Sequence, residues 1–330
     1  MNFWETLEKP FFVCAPMEDV TDAAFRSIIA KYSKGTGGKY VTFTEFTSAD
    51  GLVFADEKGQ KKLRMKFKFG EKERPIVAQI FSATPEHIEK AAAVALECGF
   101  DGVDINMGCP DRSVEKQGAG AALIKNPQLA QEIIYAAKKG AGDLPVSVKT
   151  RVGYDKVELK QWLTILLETN PAAITLHART RKQMSKVPAQ WNLIADAVAI
   201  RDAFFDAKKQ KTLIIGNGDV VSIMHARERA EESGADGVMI GRGMFGNPWA
   251  MSEYIPTLEE KLAVLMEHSD LFEKVFDGKK SFATMRKHFS SYVEGFEGAK
   301  QLRIALMACA DAAQVREVIE KHLAESVGVE

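Results

Sequence analysis

A rhythm constrains this chain before any single residue does. Between residues 11 and 240, short apolar or β-branched runs alternate with stretches whose apolar residues have helical spacing. The strand candidates are 11–15, 40–44, 75–81, 102–105, 145–149, 173–176, 213–215 and 237–240. Thr21 and Asp22 offer N-cap oxygens to a helix carrying Ala23, Ala24, Phe25, Ile28 and Ile29, and Pro85 stands where a first helical turn tolerates proline. Further helices are expected near 127–139, 157–168, 191–205 and 222–233. Eight strand–helix units predict an α/β fold, a (β/α)8 TIM barrel, with a doubly wound open sheet as the competing architecture.

After Pro248 the strand signal stops. Segments 258–268, 283–295 and 312–323 carry helical spacing instead. The expected organisation is therefore a catalytic barrel over 1–250 and a small all-helical domain over 251–330. At 330 residues, 46% of them hydrophobic, the chain can bury a core without disulfides or metals. Its four cysteines, Cys14, Cys98, Cys109 and Cys309, form no Cys-x-x-Cys pair, so no metal site is expected and a reducing, cytoplasmic setting fits. The N-terminus lacks a basic start with a long apolar run, and no apolar stretch is long enough to span a bilayer, so no membrane contact is expected. The net charge of -1 gives no global signature of nucleic-acid binding, although charge can still concentrate on one face.

In a barrel, catalytic residues gather at the C-terminal ends of the strands. Here nearly every strand ends in polar or reactive residues: Pro16-Met17-Glu18, Thr44-Glu45, Gln79, Asn106 with Cys109, Lys149 with Arg151, and His177 with Arg179. The seventh and eighth strands end in Asn217-Gly218-Asp219 and Gly241-Arg242-Gly243. Glycine turns at these two positions suit a phosphate, because backbone N–H groups can approach the anion and arginine adds charge. They also suit ordinary tight turns. Lys149, on a strand otherwise made of valines, is costly to bury without an anionic partner such as a phosphate or an electron-rich ring. His177 reads equally well as a core histidine. Asp101 and Asp104 read as structural. Cys109 alone reads as a small buried hydrophobe, and its setting in Asn106-Met107-Gly108-Cys109-Pro110 points toward chemistry instead.

These motifs resemble the tRNA-dihydrouridine synthases, an FMN-dependent family. The resemblance covers nearly the whole chain, from Ala15-Pro16-Met17-Glu18 through Asn106-Met107-Gly108-Cys109-Pro110 and Gly118-Ala119-Gly120-Ala121 to His177-Ala178-Arg179-Thr180 and Gly241-Arg242-Gly243. It implies reduction of the C5–C6 double bond of particular tRNA uridines, with hydride from reduced FMN, NADPH (or NADH) as electron donor and a proton from Cys109. It implies flavin contacts from Pro16, Met17, Glu18, Gln79 and Lys149. The phosphate end would be held by His177, Asn217, Gly218, Asp219, Gly241 and Arg242. Asn106 and Arg179 match positions near the substrate base, and Arg286-Lys287-His288 resembles a tRNA-contacting motif in the helical domain. A monomer is expected. Segment 182–191 departs from the family pattern by lacking a tyrosine–glycine–alanine spacing before Trp191. Two rival readings remain: an FMN barrel that reduces a free small molecule, and a catalytically silent RNA-binding relative.

Overall fold

The structure, a computed structural model, describes residues 2–208 and 212–327. Its first part runs β1 (Phe11–Cys14), α1 (Ala23–Gly35), β2 (Thr42–Phe43), β3 (Thr47–Ser48), α2 (Ala49–Phe54), α3 (Glu57–Arg64), β4 (Ile76–Phe81) and α4 (Pro85–Glu97). It continues with β5 (Gly102–Met107), α5 (Arg112–Lys116), α6 (Pro127–Ala141), β6 (Val146–Arg151), α7 (Leu159–Glu168), β7 (Ala173–His177), α8 (Asn192–Lys208), β8 (Leu213–Asn217), α9 (Ile223–Ser233) and β9 (Gly237–Ile240). All the strand pairings are parallel, in the order β1-β9-β8-β7-β6-β5-β4-β2. The circle closes where Val13 meets Val41: the Cys14 N–H donates to the Val41 carbonyl at 2.9 Å, and the Val41 N–H to the Phe12 carbonyl at 2.9 Å. Closure excludes the open sheet. β3 pairs with the upper end of β4 and extends that stave rather than adding another.

Successive strand residues face opposite sides, and the buried clusters divide along that parity. Phe11, Val13, Val41, Phe43, Val77, Ala173, Leu213, Ile215 and Met239 pack inside the barrel around Trp4, which closes the end where the strands begin. Their neighbours Phe12, Cys14, Ile76, Ala78, Ile174, Ile214, Val238 and Ile240 belong to the layer under the helices. Continued upward, the inward parity turns polar at Gln79, Asn106, Lys149, His177 and Asn217. The same alternation that builds the core thus aims these five side chains into the mouth.

Beyond β9 come α10 (Leu258–Phe276), α11 (Arg286–Tyr292), α12 (Ala299–Ala308) and α13 (Ala312–Val327). Leu262, Leu265, Phe272, Phe289, Leu302, Leu306, Val315 and Ile319 form their own core, which also takes in Ala24 and Ile28 of α1 and Trp249. The helical tail therefore sits on the β1 side of the barrel. The short β3, α2, α3, α5 and α12 were not anticipated from sequence. α2 is a short apolar turn of six residues and α3 a charged one with few apolar residues, and the side chains of Ser48 and Asp56 supply their caps. α12 begins directly after Gly298 at φ +81, and α11 is shorter than the expected 283–295. β2 is likewise shorter than the expected 40–44. No helix among the described residues is long and apolar enough to cross a membrane.

Candidate active site

The turn that follows β5 is built from its own strand. The Asn106 Oδ1 accepts the N–H of Gly108 at 3.1 Å and that of Cys109 at 2.9 Å. Its Nδ2 donates to the Gln79 Oε1 at 3.0 Å, and the Gln79 Nε2 donates to the Asp104 Oδ2 at 2.7 Å. The Ser147 Oγ completes the chain by donating to the Asp104 Oδ1 at 2.6 Å. Asp104 and Gln79 are fully buried, and a buried network is costly unless every member is satisfied. Burial pushes the Asp104 carboxyl up to about 6, against the opposing pull of the Ser147 and Gln79 hydrogen bonds. The network makes Asn106 the frame of the Cys109 turn. Gln79, expected at the flavin ring, has its amide engaged at both ends by Asp104 and Asn106.

Cys109 lies half-buried at the rim, against Phe81, Val114 and Ala119. Burial raises its thiol above the ordinary range, and the weaker pulls of the Asp111 backbone, Arg151 and Lys149 do not reverse this. The sulfur is thus protonated at neutral pH, the state required of a proton donor. Lys149, paired in register with Asn106, is half-buried and donates to the Asn217 Oδ1 at 3.2 Å. Burial, then the neighbouring Arg151, lower its ammonium to about 8. Among the described residues no carboxylate forms an ion pair with it. It is a cation held at the mouth by a neutral amide.

Arg151, expected at the rim but given no role there, shares the inward parity of Lys149 two positions away. It is 7% exposed. Its Nε donates to the Gly108 carbonyl at 2.7 Å, and its Nη1 to the Thr180 and Met184 carbonyls at 3.2 Å each. One guanidinium therefore ties the Cys109 turn to the divergent 182–191 segment.

Across the mouth, Gly218 has φ +133, a conformation that glycine adopts without strain. The backbone N–H groups of Gly218, Asp219, Gly241 and Arg242 donate to no backbone carbonyl or side chain in the described hydrogen bonds, which leaves them for an anion. Gly216 serves packing instead, since a Cβ there would lie 2.5 Å from the Trp191 ring. Asp219 accepts from Arg242 at 2.8 Å and also pairs with Arg179. Arg242 remains mostly exposed beside the free N–H groups.

Arg179 is committed to partners within the protein. It was expected near the substrate base, and it is 2% exposed, bonded to the Val187 carbonyl, to the His177 Nε2 at 3.1 Å and to Asp219. These bonds brace the loop that carries Val187. His177 is held well below its usual range by burial, then by the positive charge of Lys149, so it is neutral at the mouth. In the tail, Arg286 is exposed, and Lys287 pairs with Asp19 at 3.1 Å while staying half-exposed. His288 is 1% exposed and packed between Phe25 and His268, with ring centroids 4.8 Å from each. Pro16 and Met17 are partly exposed at the first turn, and Glu18 is turned outward and paired with Lys66. Glu18, Asp19 and Glu45 bring carboxylate oxygens within 4.8 Å of one another, and lysines answer all three.

The model of the dihydrouridine synthase (Dus) family matches residues 13–327. The chain belongs to the dihydrouridine synthase family. A probable tRNA-dihydrouridine synthase of Staphylococcus aureus (strain MRSA252) is 41% identical over 98% of this chain and 96% of its own length. The probable tRNA-dihydrouridine synthase 2 of Bacillus subtilis (strain 168) is 41% identical over 97% of this chain and 96% of its own. Among solved structures, histamine dehydrogenase from Rhizobium sp. 4-9 matches with a TM-score of 0.51 at 12% identity, over 79% of this chain and 48% of that one. A 2-naphthoyl-CoA reductase matches with a TM-score of 0.51 at 13% identity, over 74% of this chain and 51% of that one. The chain spans about half the length of these two structures, and at such identity they support the fold alone.

Proposed function

We propose that this family member is a tRNA-dihydrouridine synthase that reduces the C5–C6 double bond of a uridine in tRNA, using FMN and NADPH (or NADH). The observation that carries the reading is Cys109: a protonated thiol at the mouth of a closed barrel, its turn fixed by Asn106 and Arg151 and a cation beside it. The donor set fits FMN. The free N–H groups of Gly218, Asp219, Gly241 and Arg242, with the Arg242 guanidinium, would hold the phosphate, and Lys149 would face the electron-rich ring from beside Asn217. When bound, the flavin supplies a hydride to C6 of the uracil.

The remaining work falls to the chain. Cys109 delivers a proton to C5, and the raised thiol keeps that proton available through neutral pH. Asn106 and Arg151 hold the turn so that the sulfur stays within reach of a base placed over the mouth. The uridine must leave its stack to enter, at a cost of a few kcal/mol. Phosphate contacts can offset that cost and select the nucleotide. The tail presents Arg286 and Lys287 on one side of the mouth. On the β5–β7 side, Arg112, Lys116, Lys182 and Lys186 are exposed, with no ion-pair partner in the described salt bridges. A restricted basic rim of this kind reconciles polynucleotide binding with a net charge of -1.

Mass spectrometry of tRNA nucleosides from cells with and without the protein tests the proposal. The expected result is loss of dihydrouridine at a defined position, restored by the wild-type chain. Unchanged dihydrouridine at every position overturns it.

A further inference from the structure

The first turn of the site is crowded with acids. Glu45 is 2% exposed and its Oε1 accepts the Asp19 N–H at 2.7 Å. Asp22 is 1% exposed and uses its Oδ1 to cap α1 by accepting the Phe25 N–H at 3.0 Å. Asp19 itself adopts φ +55, a left-handed conformation that costs a non-glycine residue free energy. Carboxylates this close, and this far from water, disfavour each other's charge unless a cation joins them. Within the barrel, Lys66 answers Glu18 at the outer edge.

The inner cation comes from elsewhere. Lys280 lies between α10 and α11 in the helical tail, 258 residues from Asp22 in sequence. Its Nζ is 2.9 Å from Asp22, 3.5 Å from Asp19 and 4.0 Å from Glu45. Its side chain is only 18% exposed, with the ammonium 5.1 Å from the centroid of Phe276. The turn it grips carries Met17, whose N–H donates to the Thr21 Oγ1 at 2.9 Å. The Met17 sulfur lies against Gly241, 3.7 Å from where a Cβ would stand on that residue. A continuous path of contacts thus runs from the tail, through three carboxylates, to the turn facing the anion-binding N–H groups.

We infer that Lys280 is a positioning residue: through it the helical tail supplies the counter-charge that sets the turn at 17–22, so the tail completes the active-site rim as well as docking substrate. The inference rests on the proposed flavin and tRNA chemistry for its kinetic consequences and on geometry for the latch itself. Lys280 acts through Asp19, Asp22 and Glu45.

The test uses the full chain carrying Lys280→Met, with Lys280→Arg and Lys280→Met/Glu45→Gln beside it. FMN titration of the apoprotein and separate kcat and KM values on tRNA are measured. Lys280→Met is expected to weaken FMN binding and lower kcat, each about tenfold, the size usual for coupled contacting groups. Lys280→Arg is expected to keep near wild-type values, and Glu45→Gln to recover most of the loss by removing one charge from the unbalanced cluster. A rise in KM for tRNA alone, with FMN affinity unchanged and no recovery by Glu45→Gln, overturns the inference and leaves a docking lysine. If the wild-type chain takes no FMN, the functional proposal fails. The latch is then read from a double-mutant cycle in thermal unfolding, where absent coupling between Lys280 and Glu45 overturns it. Should Lys280→Met fail to fold, folding of Lys280→Met/Glu45→Gln supports charge compensation, and failure of both variants counts against it.

Discussion

On the β4–β6 side of the barrel mouth, side chains hold one another in a hydrogen-bonded chain, and two reactive groups stand beside it with no ion-pair partner among the described residues. Asn106, Gln79, Asp104 and Ser147 saturate one another, while Lys149 has a single neutral acceptor and Cys109 keeps its proton. On the β7–β9 side the charged groups pair with one another, two arginines on one aspartate. Asp219 accepts from Arg179 and Arg242, and Arg179 is closed off by the Val187 carbonyl and His177. The same kinds of residue, at the same level of the barrel, therefore do opposite jobs. A cation with a free direction can meet a ligand; one whose donors are all committed holds a loop. The difference lies in pairing.

The contrast breaks most visibly at Cys109. Cys109→Ala should lower turnover on tRNA by about 10²–10⁴-fold, the usual contribution of a general acid, and leave the flavin absorbance unchanged. Wild-type turnover by that variant would remove the reactive side of the comparison. A middle-sized effect is expected at Arg179. Arg179→Met removes the bonds to the Val187 carbonyl, His177 and the Asp219 carboxylate and should cost about 1–3 kcal/mol in denaturant unfolding. Its mark on catalysis should come through the 182–191 loop, with KM for tRNA rising more than kcat falls. An unchanged stability would mean the brace is idle.

The smallest effect is expected at Lys149. Its ammonium titrates near 8 and is charged below that pH, so affinity of the apoprotein for FMN should fall several-fold as pH rises through about 8. The sign follows from a cation lost on deprotonation facing an electron-rich ligand. Lys149→Met should flatten this limb, which FMN titrations at pH 7 and pH 9 would show. A pH profile identical in the variant would assign the limb to another group.

Much of this was legible along the chain. Period-two alternation within strands such as Val146-Ser147-Val148-Lys149 marks both the core face and, further up, the mouth face, because the pleat does not change where polarity does. Lys149 was recognisable for that reason, and Asn106 and Cys109 from their motif at the end of a strand. α2, α3 and α12 were not, since their helices depend on caps and on neighbours that local spacing does not reveal. The burial of Arg179 and His288 was not legible either, because sequence shows residue type and not burial. Lys280 gave no signal at all: its three partners lie more than 230 residues away.

The sequence by itself determined the eight strand–helix units, the helical tail after them and the rim at which the polar residues gather, because these depend on local periodicity. Only the tertiary structure decided which charges are free. Coulomb energy and desolvation act between atoms near in space, so the fates of Lys149, Arg179 and Lys280 were settled when distant segments met.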